Sequence, residues 1–370
     1  MIVLHVHSGN LYGGIETVVA TLARETDRAA VDHHVALAFD GRFADTLRGL
    51  GANVHALGEV RLTDPASVRA ARKALRRCVA ELCPVALVTH LPWTHAVFGA
   101  GLKRAGRPLV QWVHGPLTGV LGSIARFTRP DAIICNSAHT QSMLPAAYRS
   151  IPATVLLSPV SAPPAFDAAS RARMRASLDT GPDDVVIVQA SRFERWKGHR
   201  EHFEALGRLA DLPGWVLWVA GGAQRADEAA YLDELRKLAV ALRIARRIRF
   251  AGEQSSVAPL LAAADLYCQP NIEPEPFGIV YVEALWAGLP VIASDRGACP
   301  EIVNASTGVL VEPGNVAGLA NALQSLITDR TRRAQLGRSA PERARTLCDP
   351  ARQALQISGY LESVVARHAA

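Results

Sequence analysis

The sequence predicts an α/β protein of two domains, each built on a doubly wound parallel sheet. The chain has 370 residues, more than the roughly 250–300 at which a single hydrophobic core stops growing. Short apolar runs alternate with helical stretches along the chain, which is the pattern of parallel sheets covered by helices on both faces. One segment, Ser158–Asp167, breaks this alternation with three prolines in ten residues, and we interpret it as the interdomain linker.

Each predicted strand is a short apolar run that comes before a helical stretch. In the first domain, residues 1–165, the strands are Ile2–Val6, His34–Phe39, Asn53–Ala56, Leu87–His90, Leu109–His114, Ala132–Asn136 and Thr154–Leu157. In the second domain, residues 166–350, they are Val185–Ala190, Val216–Ala220, Ile248–Ala251, Leu266–Gln269, Val291–Ala293 and Gly308–Val311. The stretch at about residues 351–370 has a helical pattern. The pattern does not show which domain this helix packs on, and we predict that it packs on the first domain.

Composition points to an ordinary globular protein. Hydrophobic residues make up 49% and charged residues 20% of the chain, which excludes a mostly disordered chain and a coiled coil. The sequence opens as a strand, without a basic leader, and contains no apolar run of membrane-spanning length, so we expect a cytoplasmic protein. The six cysteines form no C-x-x-C pair, which predicts reduced thiols rather than a disulfide or zinc framework.

The formal net charge of +6 lies entirely in the first half of the chain. Residues 1–165 carry 16 Lys and Arg against 10 Asp and Glu, while residues 166–370 carry 24 of each class. Such asymmetry indicates an anionic partner, and the stretch Leu62–Ala80, with five basic residues, suggests peripheral association with the inner face of an anionic membrane. A solubilising surface and an ordinary solvated helix are the alternatives. No motif supports a nucleic-acid partner.

Open parallel sheets bind ligands beyond the carboxyl ends of their strands, so the segments that follow strands hold the candidate site residues. The first strand leads to Gly13 and Gly14, followed by a helix from near Glu16. Two glycines at a helix N-terminus allow backbone N–H groups to approach an anion closely. The alternative is a simple turn that needs a positive φ.

In the second domain, the strand Val185–Ala190 leads to Arg192 and Lys197. Two cations five residues apart on a loop can hold one diphosphate, because Arg offers a planar pair of donors and Lys a point charge. A solvated loop of mixed charge, which Glu194 and Arg195 would suit, is the alternative.

A third segment carries two glutamates around a predicted helix start. Pro274 and Pro276 keep Glu275 extended, so that the helix can begin only near Phe277 or Gly278. Glu283 then lies about five residues, or roughly 7–8 Å, inside that helix.

These two glutamates suit different parts of one nucleotide sugar. Glu283 can accept two ribose hydroxyls, Glu275 can meet hydroxyls of the sugar, and the free N–H groups near Gly278–Val280 suit a phosphate. In the alternative reading, Glu275 only complements the helix dipole and Glu283 is an exposed helix residue. The apolar neighbours of Glu283 argue against that alternative, because an idle buried carboxylate is costly.

The combination of these motifs closely resembles the retaining glycosyltransferases of family 4. That family has the GT-B fold, in which two Rossmann-like domains face each other across a cleft. The resemblance covers nearly the whole chain and is strongest in its second half. It rests on four motifs: Gly13-Gly14-Ile15-Glu16, Ser191-Arg192-x4-Lys197-Gly198, Glu275-Pro276-Phe277-Gly278-x4-Glu283-Ala284, and Gly297-x2-Pro300-Glu301-Ile302.

The resemblance implies an enzyme that transfers a hexosyl-type sugar from a UDP- or GDP-sugar to a glycan, lipid-linked or small-molecule acceptor, with retention of configuration. The first domain would bind the acceptor and the second the nucleotide sugar. Its implied catalytic residues are His114, Glu275, Arg192 and Lys197. Its implied donor-binding residues are Gly13, Gly14, Arg192, Lys197, Glu275, Phe277, Gly278, Ile279 and Glu283.

Within this set, the resemblance gives each side chain a part. Arg192 and Lys197 would hold the diphosphate, and Glu283 would hold the ribose. Glu275 would contact the donor sugar, and His114 would face the reacting sugar. The family commonly has Ser at the position of Asn271 and Gly at that of Ala298, which leaves the detailed shape of the donor pocket open.

The sequence contains no Asp-x-Asp motif, the usual carboxylate pair of a metal-bound diphosphate. We therefore predict a metal-independent reaction with no cofactor besides the donor substrate. Of the remaining histidines, we interpret His5 as a core residue and His7 as facing the cleft. His33 and His34 lack further ligands at zinc spacing. His90, Trp93 and His95 could contact an acceptor or serve in packing.

Two other functions share the predicted architecture. A UDP-sugar 2-epimerase also binds a nucleotide sugar between two such domains, although its pattern is not apparent here. A two-domain sugar-binding protein would share the cleft but would need neither the diphosphate cations nor the ribose-binding acid.

Overall fold

The computed structural model describes residues 1–10, 13–25, 31–223 and 225–369. The chain divides into two compact units. Met1–Ser161 and Cys348–Ala370 form the first unit, and Ala162–Leu347 form the second. The division falls inside the proline-rich segment Ser158–Asp167, which contains no helix or strand.

The first unit is built on a parallel sheet of seven strands within the described ranges. Its strands follow the order β3-β2-β1-β4-β5-β6-β7 across the sheet. Their bounds are β1 Ile2–His7, β2 Asp32–Leu37, β3 Asn53–Ala56, β4 Ala86–Thr89, β5 Leu109–Val113, β6 Ala132–Cys135 and β7 Ala153–Val155.

Helices cover both faces of this sheet. Their bounds are α1 Gly14–Arg24, α2 Arg42–Gly49, α3 Pro65–Leu82, α4 Pro92–Lys103, α5 Gly119–Ala125 and α6 Ala138–Ser142, with a 3₁₀ turn at Ala146–Tyr148. Ala36 of β2 packs in the cluster that includes α3 and α4, whereas its neighbours Val35 and Leu37 pack in the cluster that includes α1 and α2. Successive residues of a strand point to opposite faces, so β2 contributes to both cores.

The second unit repeats the plan with a six-stranded parallel sheet in the order β10-β9-β8-β11-β12-β13. Its strands are β8 Val185–Ala190, β9 Trp215–Ala220, β10 Ile248–Gly252, β11 Leu266–Gln269, β12 Val291–Ser294 and β13 Gly308–Val311. The remaining helices are α7 Ala168–Ser177, α8 His199–Gly207, α9 Ala226–Ala241, α10 Ala258–Ala263, α11 Ile279–Trp286, α12 Cys299–Ile302, α13 Val316–Thr328, α14 Arg330–Cys348 and α15 Pro350–Ala369. Two 3₁₀ turns lie at Arg195–Lys197 and Ala245–Arg247.

The predicted fold class is confirmed, since both sheets are parallel and alternate with helices. All the strands predicted from the sequence are present, and the differences lie at their ends. The sequence placed one strand at His34–Phe39, but β2 is Asp32–Leu37 because it pairs residue by residue with β1. Strand ends therefore follow the partner strand, which an apolar run cannot reveal.

The last helix belongs to the first unit. The hydroxyl of Tyr360 on α15 donates to the carbonyl oxygen of Ile133 on β6 at 3.3 Å, and the N–H of Val160 donates to the carbonyl of Cys348 at 2.9 Å. The chain therefore returns to its first unit after completing the second.

The basic helix predicted at Leu62–Ala80 is α3, and it begins after Asp64, whose carboxylate accepts the N–H of Ala66 at 2.9 Å. Its apolar residues Ala71, Leu75 and Cys78 are buried in the first core. Arg72 donates to the carbonyl of Val97 at 2.8 Å. The apolar face of this helix is therefore occupied inside the domain.

In the described part of the chain, no helix combines the length and apolar composition needed to cross a bilayer. The six cysteines are free thiols, and five of them are buried.

Asp265 joins the start of the second unit to its sheet. One carboxylate oxygen accepts from Arg171 on α7 at 2.6 Å, and the other accepts from Arg175 at 2.6 Å and from the N–H of Val186 at 2.8 Å. The Arg175 side chain is only 6% exposed, so it depends on this carboxylate for charge compensation.

We expect Asp265→Ala to lower the free energy of unfolding by about 3 kcal/mol, because it leaves a buried guanidinium without its anion. The measurement is the midpoint of urea unfolding. Asp233→Ala is the matched control, since Asp233 is 64% exposed and, among the described residues, pairs only with Arg236 on the same helix. The control should change stability by less than about 0.5 kcal/mol. Equal effects of the two substitutions would contradict the anchoring role of Asp265.

Candidate active site

The order of strands in the second sheet marks where a ligand should bind. From β8, the chain continues to β9 and β10 on one side of the sheet and returns to β11 on the other. In open parallel sheets, ligands bind beyond the carboxyl ends of the strands where the order reverses. The loops after β8 and β11 carry Lys197 and Glu275, so the sequence-predicted residues of this unit flank the switch point.

Lys197 and Glu275 form an ion pair across these two loops. The ammonium Nζ of Lys197 lies 2.8 Å from Glu275 Oε2, and the two side chains are 14% and 10% exposed. The same Nζ lies 3.7 Å from the ring centroid of Trp196. A pair so shielded from water is screened weakly, so the two charges hold each other firmly in position.

The backbone around Glu275 is held by a neighbouring loop. Glu275 forms an isolated parallel bridge with Gly297, and the N–H of Ala298 donates to the Glu275 carbonyl at 2.8 Å. Gly297 has φ +67°, and a Cβ there would lie 2.5 Å from the Glu275 nitrogen. Only glycine meets both conditions, which gives the Gly297 motif its physical reason.

Asn271 holds the side chain of Glu275. Its Nδ2 donates to Glu275 Oε2 at 2.8 Å, so this oxygen receives bonds from both Asn271 and Lys197. The residue noted as a departure from the family pattern is therefore a direct partner of the carboxylate. An amide reaches further than the hydroxyl of Ser and offers two donors.

The loop after β8 packs directly on the loop after β11. Gly198 has φ +71°, and a Cβ there would overlap the carbonyl oxygen of Pro270. The N–H of Ile272 donates to the carbonyl of Trp196 at 2.8 Å. This close approach fixes Lys197 relative to Glu275.

Two buried glutamines, which sequence reasoning missed, support these loops from below. Gln189 Nε2 donates to the Lys197 carbonyl at 2.9 Å, and Gln269 Nε2 donates to Asn271 Oδ1 at 3.0 Å. Both side chains are fully buried. A polar residue near the carboxyl end of an otherwise apolar strand is the signal that could have identified them.

Helix α11 begins at Ile279, close to the predicted start, with Gly278 as its N-cap and no side chain capping it. The first N–H groups of a helix have no partner inside it, so those of this turn can donate hydrogen bonds to an anionic ligand. Phe277 is 3% exposed, so its side chain belongs to the core and its backbone is the part near the helix start.

Glu283 lies in the middle of α11 among apolar neighbours. Within the described ranges its side chain has no hydrogen-bond or ion-pair partner. Burial raises the pKa of its carboxyl from 4.5 to about 7. A carboxyl without a protein partner is suited to accept hydroxyl groups from a ligand.

Arg192 lies in the same loop as Lys197 but has different partners. Its guanidinium donates to Glu194 at 2.7 Å and lies 3.6 Å from Glu228 on α9. The Arg192 side chain is 41% exposed, while Glu228 is buried. Nothing in the sequence pattern indicated Glu228. An anionic ligand would share each cation with a carboxylate, so the amides of α11 are needed to complete the attraction.

In the first unit, the glycine pair opens α1 in a way the sequence did not predict. Gly13 is extended, with φ −163°, and its N–H donates to Glu16 Oε2 at 2.8 Å. The amide of Gly13 is therefore occupied by its own helix, and a positive φ is not the reason for this glycine. Gly14, the first residue of α1, is exposed.

His114 follows β5 directly in the first unit. Its Nε2 lies 3.0 Å from Nδ1 of His90, and its ring stacks on Trp112 with a centroid separation of 5.4 Å. Asn136 donates to its carbonyl oxygen at 3.2 Å. Desolvation lowers the pKa of the His114 imidazole to about 3, so the ring is neutral at physiological pH.

The predicted site residues thus fall in both units. Lys197, Glu275, Gly278 and Glu283 lie in the two loops and the helix near the switch point, and Arg192 stands beside them with its own carboxylates. Among the described residues, no group of three or more His, Cys, Asp and Glu is arranged to hold a metal ion.

Two family models match the chain, one in each half. Residues 170–343 match Glycosyl transferases group 1, and residues 12–161 match Glycosyltransferase Family 4. Together they cover most of both units.

Individual relatives carry the same family relationship. The chain is 34% identical over 170 residues to the lipopolysaccharide core biosynthesis glycosyltransferase LpsE of Rhizobium meliloti, covering 45% of this chain and 47% of LpsE. It is 30% identical over 262 residues to a GDP-mannose-dependent alpha-(1-6)-phosphatidylinositol monomannoside mannosyltransferase of Mycolicibacterium smegmatis, covering 65% of this chain and 67% of that enzyme. The matched region spans about half the length of LpsE.

The fold is shared with solved structures over nearly the full chain. HepE of Anabaena, in complex with UDP and glucose, superposes with a TM-score of 0.83 at 25% identity, covering 98% of this chain and 99% of HepE. The predicted GT-B fold is thereby confirmed. The two family models, the mannosyltransferase relative and this superposition show that the chain belongs to glycosyltransferase family 4.

Proposed function

We propose that this protein transfers a hexosyl-type sugar from a nucleoside-diphosphate sugar to a glycan, lipid-linked or small-molecule acceptor, with retention of configuration. The main observation that supports this proposal is the ion pair of Lys197 and Glu275. The pair is shielded from water and lies at the switch point of the second sheet, next to the uncapped start of α11. We assign donor binding to the second unit and acceptor binding to the first.

Charge development during the reaction determines the roles of the cations. As the bond from the sugar C1 to the diphosphate breaks, positive charge grows on the ring and negative charge on the leaving phosphate. Lys197, Arg192 and the first N–H groups of α11 are proposed to stabilise that leaving group. Gly278 and Ile279 supply the backbone of this turn, and the neighbouring Phe277 supports it from the core.

The two glutamates are proposed to bind the two sugars of the donor, the ribose and the transferred sugar. Glu283, whose carboxylate has no partner among the described residues, accepts the ribose hydroxyls. Glu275 has one oxygen engaged by Lys197 and Asn271, which leaves Oε1 for hydroxyls of the transferred sugar.

His114 is proposed to face the reacting sugar as a neutral hydrogen-bonding group. In the glycine loop, Gly14 is proposed to lie near the diphosphate and acceptor, and Gly13 to hold the start of α1 through Glu16. Retention of configuration is supported by family membership, and we assign no enzymic nucleophile.

Both UDP- and GDP-sugars are candidate donors. HepE is described with UDP and glucose, while the Mycolicibacterium relative is named for its dependence on GDP-mannose. We also keep peripheral association with an anionic membrane within the proposal. Charge alone supports it, because the apolar face of α3 is occupied in the core.

The function is tested first by binding and turnover together. A thermal-shift panel of UDP, GDP, ADP and their sugars should show one base class stabilising the protein, since a ligand at 100 times its Kd adds ~2.7 kcal/mol. With that donor, Lys197→Ala should lower turnover by ~10²–10³, the effect of losing one preorganised group that stabilises charge.

Arg338→Ala is the matched control for Lys197→Ala. Arg338 is an exposed arginine of α14 in the same unit, and it lines a separate cavity of about 440 Å³ bounded by Ala287–Pro290. Its removal also takes away one positive charge but should leave turnover unchanged. Near-normal turnover by Lys197→Ala would count heavily against the proposed donor site.

We also expect the reaction to need no divalent metal, because the sequence lacks an Asp-x-Asp pair. Turnover should be the same with and without EDTA, and added magnesium should not raise it. Loss of turnover in EDTA with recovery in magnesium would show this expectation to be wrong.

The carboxyl of Glu283 gives a prediction about pH. Because its folded pKa of about 7 lies above its usual 4.5, the protonated form favours the folded state, and this stability is lost as pH rises through 7. Glu283→Gln should therefore gain about 2 kcal/mol over the wild type between pH 5 and pH 8. Urea unfolding at both pH values measures this gain.

The same substitution separates stability from donor binding. If the ionised carboxylate holds the ribose, the wild type should bind the donor roughly tenfold more weakly at pH 6 than at pH 8, and Glu283→Gln should bind weakly at both. A pH-independent donor affinity in the wild type would remove Glu283 from the ribose site.

A further inference from the structure

Four histidines of the first unit form a continuous hydrogen-bonded row across adjacent strands. We call His33, His5, His90 and His114 the histidine row. His33 Nδ1 lies 2.9 Å from His5 Nε2, His5 Nδ1 lies 2.7 Å from His90 Nε2, and His90 Nδ1 lies 3.0 Å from His114 Nε2. The row starts on β2, crosses β1, and reaches the ends of β4 and β5.

All four rings are neutral at physiological pH. Burial lowers the pKa of His33 to about 4 and of His114 to about 3, and lowers that of His5 and His90 well below the usual 6.5. A neutral imidazole carries one N–H donor and one acceptor nitrogen. Four rings therefore hold four N–H protons.

Three hydrogen bonds use three of these protons, so the fourth must lie at one end of the row. If each ring donates to the next in the direction from His33 to His114, the N–H without an acceptor in the row is Nδ1–H of His114. If the bonds run the other way, it is on His33 Nε2. The two arrangements differ only in tautomer, and the surroundings of the two end atoms decide between them.

An unpaired N–H group is unfavourable at the buried end of the row, on His33 Nε2. His33 is 2% exposed, and no described residue forms a hydrogen bond with its Nε2. An N–H left unpaired in the interior is rarer and more costly than an unused acceptor. His114 is less buried, and no described residue bonds to its Nδ1, so the proton is placed at less cost there.

His202 in the second unit shows that this fold accepts a bare buried Nε2. His202 Nδ1 lies 2.8 Å from Gln189 Oε1, and the Gln189 amide nitrogen donates to the Lys197 carbonyl. The His202 proton must then be on Nδ1, while its buried Nε2 has no partner in the described part of the chain.

The buried end also excludes a through-going proton wire. A proton arriving at His33 Nε2 finds no acceptor among the residues that the structure describes. The row can therefore set the orientation of protons but cannot deliver one to solvent through that end.

We propose that the histidine row fixes His114 in the tautomer that carries its proton on Nδ1, so that His114 presents a hydrogen-bond donor, and not an acceptor, to its ligand. His33, His5 and His90 are positioning residues that act through His114. The use of this donor rests on the proposed function, in which an oxygen of the reacting sugar or phosphate would accept it.

Nuclear magnetic resonance of protein labelled with ¹⁵N-histidine tests the tautomer directly, without substrate. Long-range ¹H–¹⁵N correlation distinguishes a protonated ring nitrogen from a bare one, and His114→Asn assigns the His114 signals. We expect His114 to show a protonated Nδ1 and a bare Nε2.

Two other histidines serve as internal references for the opposite tautomer. His95 Nε2 lies 2.8 Å from the Thr128 carbonyl, and His7 Nδ1 accepts the N–H of Gly9 at 3.1 Å. The Nε2 of His7 lies 3.4 Å from Glu16 Oε1, a carboxylate oxygen that compensates an N–H there. Both must be protonated on Nε2. A protonated Nε2 on His114 in the same spectrum would overturn the proposal.

Variants of His90 then test whether the histidine row determines the tautomer of His114. His90→Phe removes the donor to His114 Nε2, so His114 should show a mixture of tautomers. His90→Asn keeps an amide N–H group near the position of Nδ1 and should restore the Nδ1 proton. Unchanged His95 and His202 signals show that each variant is folded. A single Nδ1–H tautomer of His114 in His90→Phe would overturn the role of the row.

The matched control is His55→Phe, which breaks a different histidine pair. His55 Nε2 lies 2.9 Å from His34 Nδ1, outside the row, so the His114 tautomer should not change. In turnover assays, His90→Phe should lower kcat about tenfold with little change in the KM for donor, and His90→Asn should recover most of it. Absence of turnover in the wild type with every nucleotide sugar would refute the proposed function, while the spectra would still decide the tautomer.

Discussion

The ion pair between Lys197 and Glu275 joins two loops that leave neighbouring strands of the second sheet. Both side chains are largely shielded from water, so either charge alone would be poorly compensated. The pair is held in place by backbone contacts that tolerate only glycine at Gly198 and Gly297, and by the amide of Asn271. The donor site that we propose depends on this arrangement, because it fixes a cation, a carboxylate and a helix start before any ligand arrives.

Desolvation controls the protonation state of groups in both units. Burial raises the pKa of Glu283 toward 7 and lowers that of His114 to about 3, so each group becomes more neutral than it would be in water. A carboxyl without a protein partner is a cost to folding that a bound ligand can offset. Neutral imidazoles, in contrast, can form a row in which all hydrogen bonds point in the same direction. Every ring nitrogen between the two ends of the row then takes part in a hydrogen bond. Desolvation therefore has two different consequences for hydrogen bonding. It leaves the carboxyl of Glu283 for a ligand, and it keeps the imidazoles neutral so that they can bond to one another.

Much of the fold could be predicted because strands in parallel sheets are short apolar runs whose identity is local. The turn chemistry was also local, since Pro274 and Pro276 place the start of α11 close to its observed position. Prediction failed where partners come from distant segments. Arg192 meets Glu228 on another helix, and His5 on the first strand meets His90, which follows the fourth strand. Neither contact leaves a periodic or compositional signal.

By itself, the sequence determined two parallel α/β units, the break between them, and the chemical types of residue at the strand ends. Those features follow from hydrophobic period and from the backbone limits of proline and glycine, which act over a few residues. Only the tertiary structure decided which side chains meet. It brought Asn271 to Glu275, and it aligned four histidines from segments as far apart as His5 and His114. Hydrogen bonds require atoms within about 3 Å, and that proximity is set by strand order and register, which no local pattern encodes.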